Sequence, residues 1–184
     1  MASTYSSNLK IELIGTGEQT GTWGVTTNNN FSNVFEQAIV GRGNPQFTSD
    51  ANLTITLTDS VASQTARNVY LNVTSTVSLT ATRQLIVPTI NKNYIVENNT
   101  TGGQSITVKT AAGTGITVPN GARAAVYVDG TNVVGAFDYL NSLSLGTPLP
   151  VTSGGTGAST VSGAQTNLQV DPAGTAIAMA IALG

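Results

Sequence analysis

AAVYVDGTNVV, residues 124–134, reads as two short strands joined by a turn. Asp129-Gly130 supplies the backbone geometry that a tight hairpin requires, and apolar residues stand on either side of it. The same organisation extends along the chain in both directions. Leu53, Ile55 and Leu57 alternate with Thr54, Thr56 and Thr58, and Val69, Leu71 and Val73 alternate with Tyr70, Asn72 and Thr74. Further runs at 85–87, 94–97, 105–109 and 115–118 are separated by turn signals at 99–103, at 112–115 and at Asn120-Gly121. Short strands repeated every ~8–12 residues predict a mainly β fold, and more narrowly an antiparallel β-sandwich of seven or eight strands over residues 43–140. Each strand would bury one face and present a Thr-lined outer face to water.

Composition points the same way. The chain has 184 residues, of which 29 are Thr and 17 are Asn. Threonine fits a pleated surface, and Asn and Gly supply turns. With 40% apolar residues and a net charge of −2 from 7 basic and 9 acidic side chains, it has the material for a packed core. The low charge leaves no electrostatic footprint for nucleic acid or anionic lipid. No apolar run approaches the ~18 residues of a membrane span, and Met1–Asn8 lacks the pattern of a secretory signal, so membrane insertion is not expected and synthesis in the cytoplasm is.

The chemistry available for catalysis is sparse. There is no His, hence no Ser-His-Asp arrangement, and no Cys, hence no thiolate nucleophile or Cys-based metal site. The acidic residues are scattered, and Asp50, Asp59 and Asp129 sit beside strands as turn residues, which argues against a paired-carboxylate glycosidase. Neither GTGEQTGTWG nor SGGTGAST carries the Lys of a phosphate-binding loop. The expectation is a protein that is not an enzyme and holds no cofactor or metal.

Residues 1–42 differ in character. Leu9, Ile11 and Leu13 alternate as a short strand, and Phe31, Val34, Phe35, Ala38 and Ile39 follow helical spacing after a cap at Thr26 or Thr27, with Gly41 as the stop. The lone Trp23 is either packed beneath this helix, the favoured reading, or a docking anchor, since interface hot spots favour Trp. Residues 141–160 contain LGTPLPVTSGGTGAST, in which Pro148 and Pro150 favour extended backbone and the glycines supply positive φ, so they read as a spacer between modules. In the tail, 161–184, Ile177, Met179, Ile181 and Leu183 alternate with Ala and predict an extended segment whose apolar side chains are covered by sister copies.

PLPVTSGGTGAST followed by VSGAQTNLQV resembles a segment of many tailed-bacteriophage tail fibres, and NLKIELIGTGEQTGTWGVTTNNNFSNVFEQAIVG resembles the N-terminal region of virion structural proteins of marine phages. The likeness implies a virion component located in the phage tail, a short tail fibre or fibre adaptor supporting host adsorption. Tail proteins would be docked through Leu9, Ile11, Leu13, Trp23, Phe31 and Phe35. Self-association, with a trimer favoured, would run through Ile177, Met179, Ile181 and Leu183, and a second fibre protein is a further expected partner. Two rival readings are a glycan- or receptor-binding module using Tyr70, which faces outward in phase with Asn72, and a capsid decoration protein.

Overall fold

The computed structural model describes residues 2–137, 139, 141–142, 145–170 and 175–183, and of residues 175–177 only the backbone. The chain falls into two compact units, Met1–Asp138 and Tyr139–Gly184. The fold is mainly β.

In the first unit a two-stranded ribbon, β1 (Thr4–Tyr5) and β2 (Glu12–Leu13), is followed by a helical segment. That segment begins as α1 (Trp23–Asn29), passes through a π-helical turn (Asn30–Phe35) and ends as α2 (Glu36–Ile39). Ten further strands follow: β3 (Arg42–Gly43), β4 (Gln46–Phe47), β5 (Leu53–Thr54), β6 (Tyr70–Ser75), β7 (Arg83–Ile86), β8 (Asn91–Asn99), β9 (Ile106–Lys109), β10 (Gly115–Val118), β11 (Arg123–Asp129) and β12 (Val133–Gly135). β5 to β12 lie on the eight runs that the alternation marks, while the two-residue strands β3 and β4 take the number past the expected seven or eight.

The strands form a four-stranded sheet, β10-β9-β7-β5, and a six-stranded one, β12-β11-β8-β6-β3, with β4 also pairing β6. From β5 to β9 the chain crosses between the sheets at every step. Successive strands of one sheet therefore run the same way: β5, β7 and β9 are parallel, as are β3, β6 and β8. Only the last part reverses, β10 on β9 and β11 on β8 and β12. The wholly antiparallel arrangement is thus corrected to a mixed one. Alternation dictates which face of a strand is buried, but not which strand lies beside it or in which direction. The turns at 76–82 and 100–105 lead across to the other sheet instead of back along the same one.

Both sheets feed one core. Leu71, Val73, Tyr94, Val96, Val126 and Val128 come from the larger sheet and Leu85, Ile106, Val108 and Val118 from the smaller, all essentially inaccessible. Burying each large aliphatic side chain stabilises by about 1.5–3 kcal/mol. Asn98, fully buried on β8, is fully bonded: its amide donates to the carbonyls of Gln104 and Val118, and its oxygen accepts from Thr100. On the outer face Asn99 of β8 donates to Asn72 of β6 at 2.6 Å, and Asn72 to Asn44, between β3 and β4, at 3.0 Å.

The second unit is built from short local pieces. Val151–Ser153 forms a 3-10 turn, and the amides of Gly155 and Gly157 return to the carbonyls of Pro150 and Leu149. A Cβ at Gly155 would lie 2.1 Å from the Leu149 oxygen, so the approach requires glycine. The helix α3 (Val161–Leu168) is capped by Thr160, whose hydroxyl accepts from the Gly163 amide at 3.1 Å, and Asn167 donates to the Thr156 carbonyl at 2.8 Å. The supposedly extended spacer is therefore folded locally over 149–160. The tail is corrected as well: Thr175–Ala182 is a helix, α4. Alternate alanines favour helix more strongly than the two-residue pattern favours strand.

Candidate functional site

The helical segment is held to the β domain by its polar side. Asn30 accepts from the Glu12 amide at 3.0 Å and donates to the Glu12 carbonyl at 2.8 Å, completing β2 as a neighbouring strand would. One turn and a half later Gln37 donates to Ser63 at 2.6 Å and accepts from the Gln64 amide at 3.2 Å. The Gln37 carbonyl also takes the amides of Gly41 and Val69. Gly41 is forced by that closeness, because a Cβ there would stand 2.3 Å from the Asn68 side chain.

Arg67 completes the attachment from inside. Its guanidinium, wholly buried, donates through Nε to the Leu9 carbonyl at 3.0 Å and through the terminal nitrogens to the carbonyls of Ala62 (2.7 Å) and Val61 (3.3 Å) and to Gln37 (3.4 Å). Every acceptor is neutral, and burial lowers the guanidinium pKa from its usual value. At the surface Lys10 meets Asp59 at 3.3 Å and Ser60 donates to the Tyr5 hydroxyl at 2.9 Å.

With its polar side turned inward, the helix turns its apolar side out. Trp23 is 60% exposed, Phe31 61% and Ile39 69%, with Val25 and Val40 exposed beside them. The Phe31 and Phe35 rings lie 5.7 Å apart, and a shallow hollow runs between Phe31, Phe35 and Ile39 with Asn28, Ser32 and Glu36 at its rim. Of the residues at helical spacing only Val34 is buried. The helix is amphipathic, with Asn30, Val34 and Ala38 forming its inner row and Phe31, Phe35 and Ile39 an outer one. Trp23 is not packed under the helix, which it begins. The π-helical turn adds a residue to the repeat within this segment, a feature frequent at functional sites.

The predicted strand Leu9–Leu13 is also corrected. Lys10 has a left-handed backbone (φ 60°), so 6–11 form a tight loop and only Glu12–Leu13 is a strand. Leu9 and Ile11 are half-buried in that loop, and Leu13 is exposed on β2.

Tyr70 stands half-buried on the outer face of β6, flanked by the buried Leu71 and Val73. The guanidiniums of Arg42 and Arg123 lie over its ring at 5.5 and 5.4 Å, and its hydroxyl donates to Glu97, which also accepts from Arg123 at 2.9 Å. The Tyr70 bond and then Arg123 hold the Glu97 carboxyl below its usual range, while the tyrosine is pushed up by that same bond. Ring and hydroxyl are engaged within the protein.

In α4, Met179 and Ile181 are exposed, as is Leu183 just beyond it, and the Ile177 side chain lies outside the described residues. Met179 and Ile181 point to different sides of the helix, so the apolar surface wraps around it rather than forming one stripe.

Lys92 escaped the sequence reading. It occupies the inward phase of β8 with Tyr94 and Val96, which is the signal that marks it: a cation at a position where apolar residues belong. It is 9% exposed, its ammonium rests 4.9 Å from the centre of the Tyr94 ring, and burial pushes its pKa down to about 8. Tyr94 in turn donates to the Ala66 carbonyl at 2.7 Å, and its burial raises the phenol pKa.

Among the described residues no three His, Cys, Asp or Glu gather as metal ligands, and no helix is long and apolar enough to cross a membrane. No family model, curated protein or solved structure matches this chain.

Proposed function

We propose that this protein is a non-enzymatic structural component of a bacteriophage tail, a short tail fibre or fibre adaptor docked through the outer row of its N-terminal helical segment. The observation that carries this reading is the outer apolar row of exposed Phe31 and Ile39 with the half-buried Phe35 between them, and exposed Trp23 at the start of the segment, on a helix whose polar side is bonded to its neighbours. Contiguous exposed apolar surface of this kind marks an interaction site, and aromatic residues dominate the energetics of such sites. The resemblance of the segments around Trp23 and Gly155 to tail-fibre sequences supplies the identity of the partner.

On this reading the two sheets make a sandwich-like collar. The C-terminal unit joins copies, as a trimer, through the apolar surface of α4, and a second fibre protein completes the assembly. Host adsorption then benefits from several weak contacts made at once. Immunogold labelling of intact virions tests the reading. Label on the tail is expected, whereas label distributed over the capsid shell would identify a decoration protein and overturn it.

A further inference from the structure

We propose that the cleft between the 6–11 loop and the start of β8 binds the carboxylate of an acidic sugar, a ligand of the hexuronate class. This inference goes beyond the docking reading and does not rest on it.

The cleft encloses about 540 Å³, within the range of about 300–1,000 Å³ typical of small-molecule sites. Lys92 is the one charged side chain among the residues lining it, and it has no carboxylate or hydrogen-bond partner among the described residues. A cation more than nine-tenths buried is ordinarily paired. Arg67 repeats the anomaly next door, for its Nε holds the carbonyl of Leu9, a lining residue, and none of its acceptors is charged. Tyr94 joins the two cations, lying under the Lys92 ammonium and bonded to the carbonyl of Ala66. The wall of the concave site thus carries the Lys92 ammonium with no carboxylate beside it, and the buried Arg67 guanidinium stands behind Leu9 without a charged acceptor.

The rest of the lining selects among anions. Ser6, Ser7 and Asn8 of the loop offer short hydrogen-bonding side chains suited to hydroxyl groups, and Asn91 and Asn93, on the opposite phase of β8 from Lys92, also border the cleft. Leu9, Ile11, Ala38 and Val69 supply an apolar surface for the CH face of a pyranose ring. The loop is preorganised, pinned by Arg67 at Leu9 and by the Ile11 amide donating to Ser6 at 2.9 Å, so little ordering cost attends binding.

Amide NMR titration of the full chain with glucuronate, glucose and acetate tests the proposal. Glucuronate is expected to shift the signals of residues 6–11 and 91–93 and to bind at least about tenfold more tightly than glucose, which lacks the charge, or acetate, which lacks the ring. Lys92→Met should remove that preference while leaving signals elsewhere in place. A measurement on the unaltered protein guards against misfolding of the variant: saturating glucuronate should raise the Lys92 ammonium pKa. Absent shifts, equal binding of glucose, equal binding of acetate, or a Lys92 titration indifferent to glucuronate would each overturn the assignment.

Discussion

Strand β8 and the helical segment 23–39 both combine polar and apolar residues at the period proper to their structure, yet they dispose of them in opposite ways. β8 buries Tyr94, Val96 and Asn98 and leaves Asn93, Ile95 and Asn99 outside. The helix buries polar contacts, Asn30 against β2 and Gln37 against the 63–67 turn, and leaves Trp23, Phe31 and Ile39 in water. A strand in a sheet has its backbone groups satisfied laterally, so its side chains are free to sort by polarity. The helix instead completes its neighbours' bonding with side chains, and its apolar row is left over. Periodicity therefore reveals an amphipathic element without saying which side is inside.

The contrast can be broken by substitution. Leu85→Ala, in the middle of the core, should cost about 2–5 kcal/mol, read as a lower denaturation midpoint. Arg67→Met, which leaves the carbonyls of Leu9, Ala62 and Val61 without their donor, should cost about 3 kcal/mol and speed amide exchange in residues 6–11 more than in β8. Gln37→Ala should cost about 1–2 kcal/mol and loosen the helix selectively, again visible in exchange rates. On the outer row the expected effect nearly vanishes, since Phe31→Ser should alter stability by no more than about 0.5 kcal/mol.

Lys92 sharpens the comparison from the sheet side, being the charged exception on an apolar face. Its folded pKa of about 8 lies below that of the unfolded chain, so between those values the unfolded state binds more protons. Stability should accordingly rise as pH increases from about 8 towards about 10.4, and Lys92→Met should abolish that rise in a series of thermal melts. Asp50 gives a rise with pH of the same sign at the acid end, although there folding favours the charged form. Its bonds from Arg83 at 2.8 Å and from Thr80 hold its carboxyl well below the usual range. That contribution is present above the unfolded value of about 3.9 and fades as pH falls below it. Because the pair is open to solvent, the expected effect is small.

Legibility followed the same division. The positions of β5–β12, their buried phase and the Asp129-Gly130 turn were readable, because alternation and turn chemistry are local. The parallel order of β6 and β8 was not, since it depends on a crossover through the other sheet. Tyr70 was readable as outward-facing, but Arg42 and Arg123 over its ring come from strands distant in sequence. The folded state of 149–160 was hidden because the same glycines serve both a flexible thread and a tight turn. Lys92 was legible in principle from its phase on β8, whereas its partnerless state depends on the fold.

Incorporation of a Phe31→Ser, Phe35→Ser, Ile39→Ser variant into virions, compared with its melting temperature, tests the proposed docking face most directly. A melting temperature close to that of the unaltered protein, together with loss of the protein from purified tails, is the expected result. Normal incorporation of the folded variant would contradict the account.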